Sequence, residues 1–240
     1  MNILDFVFPG KCPICNNILG SKEKQICHSC QTLLPRVTEP CCKRCGKPIA
    51  AVEEQYCHDC GEKRRGQNVL TKGSALWVYD SRMKRAMANF KYDGCVEDAA
   101  FYAQQLVRFR GREIMSWQVD AIIPVPLHRR KQWFRGYNQA TALAEELGRH
   151  LHLPVLAETL TRTRYTKPQK GLVPKQRKNN VAGAFALTDQ GRKKAASLRR
   201  ILLIDDIYTT GATLEACGEV LKRTGVQEVY FICLCIGRDY

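Results

Sequence analysis

The chain has no apolar run long enough to cross a bilayer. Its longest, Val229 to Ile236, falls far short of the roughly 20 residues a membrane helix needs, so no membrane insertion is expected. The opening residues, MNILDFVFPGKC, lack a basic n-region, carry Asp5 and meet Pro-Gly almost at once. That pattern is not a secretory signal and leads us to expect a cytoplasmic protein. Aromatics make up only 8% of the chain, and its cysteine-rich front shows no interleaving of basic and aromatic residues, which weighs against base stacking there. Acids are nearly missing from Arg162 to Arg200, where Asp189 stands alone against twelve Lys or Arg.

What is present in excess is positive charge. Over 240 residues and 27.3 kDa the net charge is +15, with ordinary hydrophobic (45%) and charged (25%) fractions. A surplus concentrated in one segment favours an anionic partner over a uniformly solvated surface. The length accommodates one α/β domain plus a small satellite.

Cysteine is also abundant. Eight of the 13 Cys form four C-x-x-C pairs: Cys12/Cys15, Cys27/Cys30, Cys42/Cys45 and Cys57/Cys60. The second four follow the first four at a constant offset of 30 positions, and His28 and His58 repeat with them. This is a tandem duplication of one small unit. Each pair lets a tight turn offer two thiolates to one ion, and two such knuckles close a tetrahedral zinc ribbon. Disulfides fit a reducing cytosol poorly, and a redox motif does not recur four times ahead of any βαβ pattern. Two structural Zn²⁺ ions are therefore expected. Equal spacing favours sequential over crossed pairing of knuckles, with the histidines outside the ligand sets and Cys41 as a spare thiol. The inter-knuckle segments NNILGSKEKQI and GKPIAAVEEQY are too polar to build a core, so metal should supply the folding free energy. The expected division is a double zinc ribbon over 1–62, a linker over 63–72 and a second domain over 73–240.

Beyond the linker, strands alternate with helices. Strands are expected at 75–79, 119–125, 155–161, 181–187, 201–204 and 228–236. Helices are expected at 81–90 (Ser81 as N-cap), 96–110, 137–150 and about 212–223. The pattern predicts an α/β fold with a parallel sheet covered on both faces, its functional loops at the carboxyl ends of strands.

In ILLIDDIYTTGATL, a buried strand delivers Asp205 and Asp206 to the sheet rim. Thr209, Thr210, Gly211, Ala212 and Thr213 then form a turn whose amides, hydroxyls and helix N-terminus suit a phosphate. Carboxylates beside a phosphate repel it unless they hold another part of the same ligand, and sugar hydroxyls are natural partners. The expected ligand is a ribose 5-phosphate. The run resembles the signature of type I phosphoribosyltransferases, which bind phosphoribosyl pyrophosphate (PRPP). That resemblance implies ribose binding by the catalytic-site pair Asp205 and Asp206, 5-phosphate binding by 209–213, and Mg²⁺ carried with PRPP.

A second loop, IIPVPLHRRKQWFRGYNQ, occupies the place of the pyrophosphate loop. Pro124, Val125, Pro126, Leu127, His128 and Arg135 are the residues assigned to it, with Arg129, Arg130 and Lys131 as further cations. A third, RTRYTKPQKGLVPKQRKNNVAGAF, has no apolar period and exceeds the usual connection length. The resemblance to type I phosphoribosyltransferases implies that it is the hood loop closing over PRPP, with Arg162, Arg164, Gln169 and Arg177 in that role. Tyr79, Lys91, Tyr92 and Tyr137 are candidate liners of an acceptor pocket.

RGYNQ, FKYDG and the four knuckles together resemble the ComF family across nearly the whole chain. The resemblance implies a role in natural competence, contact with incoming single-stranded DNA and a competence helicase as partner. It is compatible with a phosphoribosyltransferase of undefined acceptor, displacing pyrophosphate at ribose C1. The alternative is a non-catalytic adaptor that binds a nucleotide or single-stranded DNA and docks to the competence helicase, though the paired acids favour PRPP binding.

Overall fold

The computed structural model describes residues 10–20, 23, 25–62, 68–92, 95–166 and 174–238. Gln169, residues 63–67 of the expected linker, and Asp93 and Gly94 of FKYDG lie outside the described residues. The described elements run α1 (His28–Thr32), α2 (His58–Gly61), β1 (Lys72–Val78), α3 (Ser81–Tyr92), α4 (Asp98–Ser116), β2 (Ala121–Pro124), α5 (Arg129–Arg135), α6 (Gln139–Leu151), β3 (Leu160–Arg162), α7 (Pro174–Val181), β4 (Phe185–Leu187), α8 (Asp189–Ala195), β5 (Arg200–Tyr208), α9 (Ala212–Lys222) and β6 (Glu228–Ile236).

Four strands make one parallel sheet in the order β1-β6-β5-β2. Alternate residues of β5 enter opposite cores. Ile201 and Leu203 pack with Val229, Phe231 and α9 residues on one face, while Leu202 and Ile204 pack with Ile232, Leu234 and residues of α3, α4 and α6 on the other. Strands buried on both faces read as continuous apolar runs, which is why ILLI and VYFICLCI were legible.

Two of the expected strands do not join this sheet. Leu160–Arg162 and Phe185–Leu187 form a separate antiparallel pair. Val155 makes only an isolated parallel bridge to Ile122, and Val181 ends α7. Short apolar strings carry no record of which sheet they enter. The helix after β1 starts at Ser81 itself. Its cap is Asp80, whose Oδ1 accepts the Met83 N–H at 2.8 Å, because the carboxylate one residue earlier reaches the orphan amide.

The cysteine-rich front packs directly on the sheet. Its two units repeat one hydrogen-bond pattern: the Cys12 N–H donates to Asn17 O and the Cys42 N–H to Lys47 O, each at 2.8 Å. Asn16 and Gly46 occupy the left-handed turn positions. Between the units, Pro35 to Val37 lies antiparallel to β1. The Val37 N–H donates to Leu76 O at 3.0 Å and the Val78 N–H to Pro35 O at 2.7 Å. Arg110 clamps this seam, Nε donating to Ala75 O (3.1 Å) and an Nη to Val37 O (3.3 Å). The sheet edge is thereby covered, which removes a template for aggregation. The first cysteine set shares the core with Trp77 and Tyr102, and the second shares the opposite core with Phe231 and Tyr208. The knuckles build no separate core: Ile14 and Ile49 are buried within the cores of the larger domain. At the linker, Thr71 bonds Val229 through its N–H and its hydroxyl, and Leu70 is buried.

Gly73 of β1 shows how tightly this edge is packed. A Cβ there would sit 2.1 Å from a ring carbon of Phe231. Gly73→Ala is expected to lower unfolding free energy by about 1–3 kcal/mol, the usual cost of overpacking. Urea denaturation checks this; a variant as stable as the parent would contradict the close approach.

Candidate functional site

β2 stops pairing at Pro124↔Ile204, with Val125 N–H adding one bond to Ile204 O. Pro126 has no N–H to continue the ladder. β5 runs on to Tyr208, still paired with β6, so Asp205 and Asp206 lie inside a strand and not at its end. They stand where the sheet has lost its β2 neighbour, and both are half-buried.

The two carboxylates are unlike in environment. The Asp206 N–H donates to Asp205 Oδ1 at 2.9 Å. Lys91, near the end of α3, ion-pairs with Asp206, their side chains 21% and 14% exposed. Burial alone would raise the Asp206 carboxyl, but the Lys91 ammonium holds it below the usual range. Asp205 is pushed well up, first by burial and then by the Asp206 charge. One charged and one protonatable carboxyl therefore sit side by side.

Around them cations crowd. Lys131 is lowered by burial and by the charges of Arg162, Arg135 and Lys91. Arg162 is lowered by burial, against which the Asp205 charge acts. Arg135 donates to Gln139 Oε1 (3.0 Å) and Tyr92 Oη (3.1 Å) and lies over the Tyr92 ring. The second and third loops meet here: His128 bridges Arg162, its ring stands edge-on to Tyr165, and Lys131 Nζ lies 5.5 Å from the Tyr165 centroid. Four cations around a carboxylate couple leave net positive charge for an anion.

Past Tyr208 the chain turns through Thr209 and Thr210 to Gly211, which has φ 80° and no side chain capping α9. The first amides of α9 thus have no side-chain acceptor at the cap, and the buried Thr210 hydroxyl has no hydrogen-bond partner. Ala212 is buried and Thr213 half-buried.

Other assigned residues are placed differently. Pro124, Val125 and Pro126 are buried, and the Val125 carbonyl accepts from Asn138 Nδ2 at 3.0 Å. Leu127 and His128 are half-buried, and His128 Nδ1 caps α5 by accepting the Arg130 N–H at 3.3 Å. Arg164 donates to the carbonyls of Asn180 (3.2 Å) and Ala182 (2.8 Å) at the end of α7. Arg177 is half-buried on α7. Sequence reasoning missed the partnership of Lys91 with Asp206, which joins residues distant in the chain. It also missed α5, which buries none of its residues: Trp133 is 87% exposed and Phe134 77%, between Arg129–Arg130 and Arg135. The string RRKQWFR carried that signal.

Both cysteine sets are assembled as the equal spacing anticipated, Cys12/Cys15/Cys27/Cys30 and Cys42/Cys45/Cys57/Cys60, with the sulfurs in each set within 4.8 Å of one another. Pairs at 3.7 Å (Cys15–Cys27) and 3.5 Å (Cys45–Cys57) match the edge of about 3.8 Å in a tetrahedron with Zn–S near 2.3 Å. The donor sets therefore fit two structural zinc ions. His28 and His58 are exposed and belong to neither set. The Cys41 thiol, raised to about 11 by burial and by Glu39, donates to Thr38 O at 3.1 Å. Among the described residues no helix is long and apolar enough to cross a membrane.

Residues 3–61 match the double zinc ribbon domain family and residues 135–240 the phosphoribosyl transferase domain family. Competence protein F of Haemophilus influenzae is 43% identical over 110 residues, 46% of this chain and 47% of that protein. DNA utilization protein YhgH of Escherichia coli K12 is 38% identical over 116 residues, 48% of this chain and 49% of that protein. Competence protein ComFC of Bacillus subtilis is 29% identical over 205 residues, 85% and 80% of the two chains. The chain thus spans about half the length of the first two relatives. A parallel-sheet phosphoribosyltransferase-like domain joined to a double zinc ribbon defines the class of protein. The two domain matches and the competence relatives together support a ComF-type protein within that class.

The Lys91–Asp206 pair makes a pH-dependent prediction. The folded Asp206 value is depressed, so the stability it contributes is present above the unfolded value of about 3.9 and lost as pH falls through the folded value. The folded Lys91 value is raised, first opposed by burial and then lifted by Asp206, so its contribution is lost only at high pH. Lys91→Met should cost about 1–3 kcal/mol at pH 7, discounted from the cost of breaking a fully buried pair because both groups reach solvent. The deficit should shrink below about pH 4. Denaturant melts at both pH values check it; an equal deficit at both contradicts the pair.

Proposed function

We propose that this chain binds PRPP, with its Mg²⁺, between the Thr209–Thr213 turn and the Asp205–Asp206 couple, and acts in competence and the use of incoming DNA. The observation that carries the reading is the buried, unpartnered Thr210 hydroxyl beside the side-chain-uncapped start of α9, directly after two carboxylates. A helix start that no cap side chain covers is suited to an anion, and ribose hydroxyls satisfy the carboxylates that would otherwise repel the phosphate. Arg135, Lys131 and Arg162 supply charge for a pyrophosphate; Leu127 and His128 line its approach, and Pro124–Pro126 form the wall behind. The hood role of Arg162, Arg164, Gln169 and Arg177 belongs to the same reading.

Such a site suits displacement of pyrophosphate at ribose C1. Positively charged side chains stabilise the leaving group, and no covalent nucleophile is required. Mg²⁺ would arrive on the pyrophosphate and neutralise part of its charge. The competence role follows from the names of the relatives, and a competence helicase is the partner the family resemblance adds.

Calorimetric titration with PRPP and Mg²⁺ tests the site. Asp205→Asn/Asp206→Asn is expected to weaken binding at least about tenfold, the loss of one or two charge-assisted hydrogen bonds. Equal affinity in the two proteins would refute the assignment.

A second reading, single-stranded DNA contact, is favoured by α5. Exposed Trp133 and Phe134 lie one helical turn after exposed Arg129 and Arg130, the combination that lets bases stack while cations track phosphates. Fluorescence anisotropy with labelled oligothymidylate separates the contributions. Trp133→Ala/Phe134→Ala should weaken binding by about 1–3 kcal/mol per stacked base with the salt slope unchanged. Arg129→Ala/Arg130→Ala should flatten that slope by about 1–2. Binding indifferent to both pairs would remove DNA from this surface.

A further inference from the structure

The two cysteine sets are not equivalent neighbours of the site. The second shares one hydrophobic core with Tyr208, Ala212 and Leu214; the first lies in the other core, against Trp77 and Tyr102. Tyr208 immediately precedes the Thr209–Thr213 turn, and it is 2% exposed. Its ring stacks on Phe231 with centroids 4.7 Å apart and planes at 5°. The backbone of Gly211 rests on that ring: a Cβ there would meet Tyr208 Oη at 2.7 Å and two ring carbons at 3.0 Å. Tyr208 and Phe231 also line a narrow crevice with Cys45, Cys60, Arg44 and Glu215. Arg44 ties this corner together, an Nη donating to Cys60 O at 2.8 Å and its carbonyl accepting the Gly73 N–H at 2.7 Å.

We propose that Tyr208 is a positioning residue through which the second cysteine centre, but not the first, fixes the shape of the Thr209–Thr213 turn. The physical basis is close packing. A left-handed glycine turn has little internal stiffness, and here its conformation is set by the ring beneath it. That ring is held on one face by Phe231 and flanked by the knuckle carrying Cys45 and Cys60. Four sulfurs drawn together by a metal keep the knuckle closed; without it the knuckle loses the binding energy that folds it, and the packing beside Tyr208 loosens. Metal occupancy at this one centre then governs how well the turn is preorganised for an anion. The inference rests on the proposed phosphate role of the turn only for its consequence in binding, not for the mechanical link.

Amide hydrogen exchange on the full chain, without ligand, tests the link. Tyr208→Leu is expected to speed exchange of the Glu215 amide, which donates to Gly211 O at 2.8 Å, at least about tenfold while metal analysis still finds two equivalents of zinc. Tyr208→Phe, which keeps the ring, should stay within about twofold of the parent. Cys42→Ser/Cys45→Ser should reproduce the fast turn with one equivalent lost. Cys12→Ser/Cys15→Ser should instead speed exchange in Asp98–Ser116, whose Tyr102 hydroxyl donates to Pro13 O at 2.7 Å. If Cys42→Ser/Cys45→Ser fails to fold, the two tyrosine variants decide alone. An unchanged turn in Tyr208→Leu, or an equally fast turn when the first centre is broken, overturns the proposal. Titration with ribose 5-phosphate then separates the two ideas. Parent protein that does not bind it refutes the proposed site and leaves the exchange result to judge the link, whereas binding that weakens at least about tenfold in Tyr208→Leu supports both.

Discussion

Two adjacent carboxylates in a chain of net charge +15 are the constraint around which this structure is arranged. β5 outruns β2, so Asp205 and Asp206 have no β2 partner while still held by β6. Such a couple is tolerable only because Lys91 closes on Asp206 and Asp205 is pushed toward its neutral form by burial and its neighbour. The same sheet geometry then sends the chain over Tyr208 into the glycine turn. One strand thus holds the carboxylate couple and leads into the glycine turn.

The cysteine-rich front is part of that solution and not a tethered satellite. It supplies the antiparallel segment that closes the β1 edge and places one thiolate set in each core. Small knuckles with few apolar residues gain from metal what they lack in buried area. Here they also gain a shared core. The duplication therefore serves two faces of one sheet, which equal copies of a unit can do by packing on either side of a common edge.

Much of this was legible in the sequence where a local rule is strong. The 30-residue offset of the C-x-x-C pairs gave the two assembled sets. Continuous apolar runs gave β5 and β6, and the glycine after the threonines marked the start of α9. Legibility failed where partners are far apart in the chain. Lys91 finds Asp206 across nearly half the chain, and Pro35–Val37 finds β1 with no periodicity to announce it. Short strings such as Leu160–Arg162 could not declare which sheet they would join. Asp80 displaced Ser81 as a cap because both residue types are good caps and only geometry chooses. The exposed Trp133 and Phe134 were visible as letters, but their exposure depends on a helix that buries nothing.

The most direct test of the account is a structure determined with ribose 5-phosphate bound. The phosphate should lie against the amides of residues 209–213 and the Thr210 hydroxyl, with the ring hydroxyls on the carboxylates of Asp205 and Asp206. Sugar found elsewhere, or bound with its phosphate on the cations of α5 while the turn stays vacant, would contradict the account.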